Sequence, residues 1–398
     1  MRRIFFFLIL LVCQSTVLMS QSNDIYSGVL RELEANSPLF KLIEQQYEAD
    51  NAEAFAGSLL DDPTLEIGHF WGFPSDKGVR WNLSVGQSFE MPSVYVHKTR
   101  LRQLRSRLAS DVSHEAVRAL RLEIKQLCAD IVYYNAMVYI FEGRFQIANE
   151  LSAIYTQRLA SGDCSLLEYN RVQMDVAEAQ VNLDKITAER DLLLATLREL
   201  NGGVDISLTE KYFPIRLVSD NYNDFVNSIG NRDVPNGALS KLHTQSVIDS
   251  VRVRESRSQW LPKMSVGYAS EVLTDEAFRG VVVGVSLPLW NNARKVRSSQ
   301  LQADASKSDY EVALVRNQNQ CMALFSKIRS SSRQVAALQS AFEHFNSVDL
   351  LSKAFEAGEI DLESYLLEID YYNNAAMAIV EAQLDLESAV LRLEAIAF

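Results

Sequence analysis

Two hydrophobic periods alternate along this chain. The first has a period of two. Over 81–89, Trp81, Leu83, Val85 and Phe89 alternate with Asn82, Ser84, Gly86 and Ser88. Leu65, Ile67 and Trp71 alternate with Thr64, Glu66 and Gly68. Met264, Val266 and Tyr268 alternate with Lys263, Ser265 and Gly267, and Val281, Val283, Val285 and Leu287 with Val282, Gly284 and Ser286. Alternation of this kind predicts strands with one apolar face and one small, polar face. With its flanks each run is about 9–10 residues, the length of a tilted membrane strand.

The second period is helical. From Leu101 through Leu104, Leu108, Val112, Val117, Leu120, Ile124, Leu127, Ile131, Tyr134, Val138, Phe141, Phe145, Ala148, Leu151 and Tyr155 to Leu159, steps of three and four dominate. That is a coiled-coil seam. Val172, Val176, Ala179, Leu183 and Ile186 continue it after Gly162, and Leu324, Ile328, Val335, Leu338, Phe342 and Phe345 repeat it later. Leu362, Leu366, Ile369, Tyr372, Ala376 and Ile379 follow Gly358. No proline lies between Pro92 and Pro214, nor after Pro288. Pro92 to Gly162 and Pro288 to Gly358 are each 70 residues. As continuous helix that is on the order of 100 Å, at 1.5 Å per residue.

The two patterns form one unit written twice. Gly162 and Tyr169 match Gly358 and Tyr365, and Pro92 matches Pro288, all at an offset of 196 residues. Pro63-Thr-Leu-Glu-Ile-Gly68 matches Pro262-Lys-Met-Ser-Val-Gly267 at 199, a difference that a hairpin loop can absorb. Each unit reads strand, strand, long helix, glycine turn, returning helix. Gly162 and Gly358 suit left-handed C-caps. Asp163 or Ser165, and Asp361, are the candidates to cap the returning helices. The predicted organisation is a signal segment (1–20), then a first repeat over 21–200 with an N-terminal helix, a β-hairpin at 63–91 and a helical hairpin at 93–200. A linker spans 201–234. The second repeat spans 235–398, with a helix, a β-hairpin at 262–288 and a helical hairpin at 290–397.

Arg2, Arg3 and the apolar run Ile4–Val12 read as a secretory signal, too short to span a bilayer. Cleavage after Ser20 fits, while Leu11-Val12-Cys13 resembles a lipobox and keeps lipidation at Cys13 as a second reading. Losing 1–20 removes two arginines and no acid, taking the formal charge from −12 to −14. An acidic balance of 51 Asp and Glu against 39 Lys and Arg offers no nucleic-acid footprint. Four cysteines exclude a disulfide scaffold. Cys128 and Cys321 fit helix packing, and Cys164 falls at a turn. His69, His97, His114, His243 and His344 show no metal-ligand spacing, so no metal or cofactor is expected. There is no P-loop, dinucleotide-binding glycine pattern or nucleophile elbow, so no catalytic residue is assigned and the chain is read as a non-enzyme.

The aromatics Phe70, Trp71, Phe73 and Trp81 cluster beside the loop from Pro74 to Arg80, and Phe89, Trp260 and Trp290 lie at the other strand ends. Such clusters are consistent with two interfacial belts. On this reading Leu65, Ile67, Trp81, Leu83, Val85, Phe89, Met264, Val266, Tyr268, Val281, Val283 and Val285 face lipid, and the small residues face water. Four strands cannot close a lumen, for which small barrels need about eight. Other copies of the chain must then complete it.

With its duplicated strand–strand–helix–turn–helix unit, strand exits at Pro92 and Pro288, and tips at Gly162 and Gly358, the sequence resembles the TolC family of outer-membrane efflux proteins. Asn36-Ser37-Pro38 is similar to that family's short motif near the mature N-terminus. The resemblance covers about 24–398. It implies a mainly α fold with membrane β: a homotrimer whose twelve-stranded outer-membrane barrel continues as a long periplasmic α-helical tunnel, with 201–258 and the N-terminal helix forming a belt. It also implies the outer membrane of a Gram-negative bacterium, a periplasmic adaptor and an inner-membrane pump as partners, and export of small molecules or metal ions. By the same resemblance the tips form the tunnel entrance, where Asp163, Glu168, Tyr169, Glu359, Asp361, Glu363, Tyr365 and Glu368 are the candidate gate residues. A ring of such acids favours cations, whereas the plain alternative is that they are helix-terminal acids stabilised by the macrodipole. Family members often lock the entrance with an acid–Arg–Tyr network. No basic residue lies between Gly358 and Arg392, so Arg158 and Arg171 are the substitutes. Leu159, Ala160, Ser161, Gly162, Ala357 and Gly358 would meet the adaptor. The competing function is a secreted coiled-coil structural or tethering protein with a small soluble sheet.

Overall fold

The computed structural model describes residues 25–56, 60–73, 78–214, 221–222, 237–273, 276–288, 292–344 and 348–397. The signal segment, Cys13, Trp290, Phe345 and much of the expected linker lie outside these. Two helices come first, α1 (Ile25–Asn36) and α2 (Pro38–Ala56). Strands β1 (Thr64–Trp71) and β2 (Val79–Phe89) precede α3 (Pro92–Ser161) and α4 (Leu166–Leu200). The second half repeats the order: α5 (Gly237–Ser258), β3 (Lys263–Val272), β4 (Ala277–Ser286), α6 (Asn292–His344), α7 (Val348–Glu356) and α8 (Leu362–Ala397). The mainly α, duplicated fold expected from the sequence is the one found. The first outgoing helix is continuous for 70 residues. The second is described as α6 and α7.

The chain divides into two compact units. One comprises 1–42, 117–234 and 317–398; the other comprises 43–116 and 235–316. Each contains parts of both repeats. In the first, Cys321, Phe325, Ile328 and Val335 of α6 pack on Leu386, Val390 and Leu393 of α8. These are the seam positions of two antiparallel helices. In the second, Leu101 and Leu104 of α3 pack on Ile248 and Val251 of α5. Beside that seam Asp111 accepts from Ser240 (2.9 Å) and Thr244 (2.6 Å), and Lys241 pairs with Glu115 at 2.9 Å.

The second unit also holds one antiparallel sheet in the order β1-β2-β3-β4. Directly paired residues share a face. Ile67 pairs with Leu83, Val85 with Tyr268, Phe89 with Met264, and Val266 with Val283, so every residue expected on the apolar face lies on one face. The other face is mostly small or polar, with Val282, Phe70 and Phe278 as its apolar exceptions. Gly86 opposes Gly267 there, and a Cβ on Gly267 would sit 2.7 Å from the Val85 carbonyl oxygen. Gly267 therefore has no room for a side chain. His69 falls on the apolar face, its ring 4.6 Å from Trp71 and 4.1 Å from Trp81. Among the described residues no helix is long and apolar enough to cross a membrane.

Candidate functional site

The two helical tips are built alike. At the end of α3, Gly162 has φ 80°, the Asp163 amide donates to Arg158 O (2.7 Å) and the Gly162 amide to Leu159 O (3.2 Å). At the end of α7, Gly358 has φ 72°, the Glu359 amide donates to Ala354 O (2.8 Å) and the Gly358 amide to Phe355 O (3.1 Å). Both are Schellman caps, which need a left-handed residue and so favour glycine.

The returning helices start on side-chain caps. Ser165, not Asp163, caps α4: its hydroxyl accepts from the Glu168 amide, and the Glu168 carboxylate accepts from the Ser165 amide at 2.8 Å. This is a reciprocal capping box. The backbone and hydroxyl donors of Ser165 hold the Glu168 carboxyl below its ordinary range. Asp361 accepts from the Ser364 amide at 2.8 Å, and the Ser364 hydroxyl and amide likewise lower its carboxyl. Two of the candidate gate acids are thus employed as helix caps, while their side chains stay exposed.

The other candidates divide. Asp163 accepts from the Ser161 hydroxyl at 2.6 Å. Glu363 pairs with Arg171 across the two hairpins at 3.4 Å. Among the described residues Glu359 and Glu368 are exposed without a charged partner. Tyr365 is only 7% exposed: it stacks on Phe355 at 4.5 Å and packs with Leu151, Tyr155, Val172, Leu366 and Ile369. Tyr169 is partly buried against the same cluster. The two tyrosines therefore hold the hairpins together, and the acids surround them. Arg158 lies over the Tyr155 ring at 5.1 Å. Ala160, Ser161, Gly162, Ala357 and Gly358 are exposed and Leu159 half-buried, leaving both caps open to contact.

One charged group escaped the sequence reading. Arg144 is 8% exposed; it donates to both oxygens of Asp175 on α4 and, at 3.2 Å, to Asp370 on α8. Burial alone would lower the guanidinium's proton affinity, but the two aspartates more than offset that and raise it. The signal was present. Arg144 stands midway between Met137 and Leu151 on the seam, and Asp175 between Val172 and Ala179. A charge at a seam position needs a buried partner. Among the described residues no group of three His, Cys, Asp or Glu is placed to hold a metal ion.

No family model matches the chain, and no curated protein matches it. Solved structures do. The Campylobacter jejuni CmeC outer membrane channel superposes with a TM-score of 0.75 at 14% identity, over 94% of this chain and 86% of that one. The outer membrane protein VceC of Vibrio cholerae gives 0.75 at 13%, over 94% and 96%. The open-state Neisseria gonorrhoeae MtrE outer membrane channel gives 0.73 at 11%, over 94% and 88%. The chain has the fold of these channels, the TolC-like fold that its repeat pattern resembles.

Proposed function

We propose that this chain is the outer-membrane duct of a tripartite efflux system in a Gram-negative bacterium. Three copies would give twelve strands, enough to enclose a lumen. Long helical hairpins would continue the duct through the periplasm. The observation that carries this reading is the sorting of faces over all four paired strands, mostly apolar on one side and mostly small or polar on the other. A soluble sheet of this size would cover its apolar face with helices. Here Ile67, Val281 and Val283 stay exposed, as lipid contact requires. The fold shared with CmeC, VceC and MtrE supports the same role.

In this reading the tips are the entrance. Glu359, Glu363 and Glu368, repeated three times around one axis, would make a cation-favouring opening. The Arg171–Glu363 pair takes the part of the entrance lock. The exposed caps at Leu159–Gly162 and Ala357–Gly358 would dock the hairpin of a periplasmic adaptor, which in turn joins an inner-membrane pump. Cargo of positive charge, whether metal ions or organic cations, fits that opening best. The chain itself performs no catalysis and supplies no energy.

The test is the detergent-corrected mass of the purified protein together with its conductance in a planar bilayer. A trimeric mass and a small conductance that rises on Glu359→Ala and Glu363→Ala support both duct and entrance. A monomer that does not insert overturns the duct and restores the coiled-coil tether.

A further inference from the structure

The small, polar face of the sheet is not uniform along its length. Its middle carries Ser84, Gly86, Gly267, Ala269, Gly280 and Gly284, with Val282 opposite Gly267 as the one larger apolar residue. Its bulk gathers at one rim, next to the two hairpin turns. There Phe70 pairs with Arg80, and Glu271 pairs with Phe278. Arg80 and Glu271 form an ion pair across β2 and β3. The Arg80 guanidinium lies 5.7 Å from the Phe70 ring centroid. That ring folds back over Gly68, where a Cβ would sit 2.8 Å from Phe70 Cε2. Phe70 and Phe278 remain 54% and 58% exposed. Two large, exposed rings thus stand at one end of a face whose other apolar side chain of any size is Val282.

We propose that Phe70, Arg80, Glu271 and Phe278 form an outer constriction, a second filter at the rim of the barrel beside the two hairpin turns. The inference rests on the duct reading above, because only a closed barrel turns this face inward. Closure repeats the four residues three times around the mouth. The six rings narrow it and offer faces to aromatic cargo. Arg80 offsets Glu271 at the rim, and Glu66 lies deeper on the same face. Removing Arg80 leaves two acids per chain and a mouth that attracts cations. Removing Glu271 leaves Arg80 against Glu66 alone and reduces that attraction. This filter acts on bulky solutes entering from outside as well as on those leaving.

The test uses whole cells and the full-length protein. A cysteine placed by Ser265→Cys lies on the small face well inside the rim, and one placed by Val266→Cys lies on the opposite face. Membrane-impermeant methanethiosulfonates of two sizes and both charges are added outside. Ser265→Cys is expected to react slowly with the bulky reagents. Adding Phe70→Ala and Phe278→Ala should speed the bulky reagents several-fold and leave the small ones unchanged. Adding Arg80→Ser should raise the ratio of cationic to anionic reaction rates, and adding Glu271→Ser instead should lower it. Rates at Ser265→Cys that none of these changes alters, with Val266→Cys protected, would overturn the constriction and keep the duct. Val266→Cys reacting as fast as Ser265→Cys would overturn the duct and the constriction with it.

Discussion

Arg144 of α3 grips Asp175 of α4 with two parallel hydrogen bonds, one of them 3.0 Å, and reaches Asp370 of α8 with a third. The Asp175 side chain is almost as enclosed as the arginine, whereas Asp370 is 58% exposed. The two halves of this cluster therefore differ in kind. Losing the arginine strands a buried carboxylate. Losing Asp370 leaves the inner pair intact.

Arg144→Ala should destabilise the helical part by about 3–5 kcal/mol, the usual cost of orphaning one partner of a buried pair. Asp370→Asn should cost no more than about 1 kcal/mol, as exposed pairs do. The double change Arg144→Met with Asp175→Leu should recover most of the first loss, since an apolar pair can fill the same seam. Thermal melts followed by circular dichroism in detergent check all three. Equal losses for Arg144→Ala and Asp370→Asn would show that the bridge is not buried.

Val283→Arg should cost roughly 2–4 kcal/mol per chain if its face meets the bilayer midplane. Val282→Ser, one residue away on the opposite face, should be tolerated. The measurement is the yield of detergent-extracted trimer from outer-membrane fractions. Similar yields for the two variants would remove the distinction between the faces.

Acid should loosen the tips. Glu168 and Asp361 both have carboxyls lowered on folding, from ordinary values of 4.5 and 3.8. The stabilisation they give is complete above those values and is lost as pH falls through the lower folded values. Hydrogen exchange at the Ser165–Glu168 and Asp361–Ser364 amides, corrected for intrinsic rates, should therefore accelerate only below about pH 4. Glu168→Gln should abolish the effect at the first tip and leave it at the second.

The three cysteines among the described residues should separate by reactivity. Cys128 is fully buried, and burial, with Glu210 nearby, pushes its thiol up to about 12. Cys321 is buried in the α6–α8 seam. Cys164 is half-buried at the first tip, its Sγ 3.7 Å from Tyr155 O. A maleimide at neutral pH should label Cys164 in the native protein and the other two only after unfolding, as read by peptide mass.

Much of this was legible in the sequence because periodicity is a backbone property. A period of two fixes which strand residues share a face, so the face assignments needed only that the strands pair in register. Both tips were legible because a glycine after a long seam has few alternative uses. What the sequence hid were partnerships between distant segments. Tyr365 reads as a gate residue by its position near the tip, yet its ring is spent on Phe355. Glu168 reads either as an acid in an opening or as a helix-terminal acid, and Ser165, three residues earlier, engages it as the second. Whether Asp163 or Ser165 caps the helix depends on the residue count after Gly162: Asp163 is consumed as the second half of the Schellman cap, leaving Ser165.

The strand order carries a consequence for how such a ring is put together. Hairpin β1–β2 belongs to one repeat and β3–β4 to the other, and they meet edge to edge through β2 and β3. That internal seam is the contact that β4 of one copy and β1 of the next must reproduce to close a barrel. A chain with one hairpin would need six encounters between separate molecules. Duplication makes every second encounter intramolecular, at the effective concentration of tethered partners. In a trimeric barrel three collisions would then do the work of six, and the number of incomplete rings exposing a bare edge would fall accordingly.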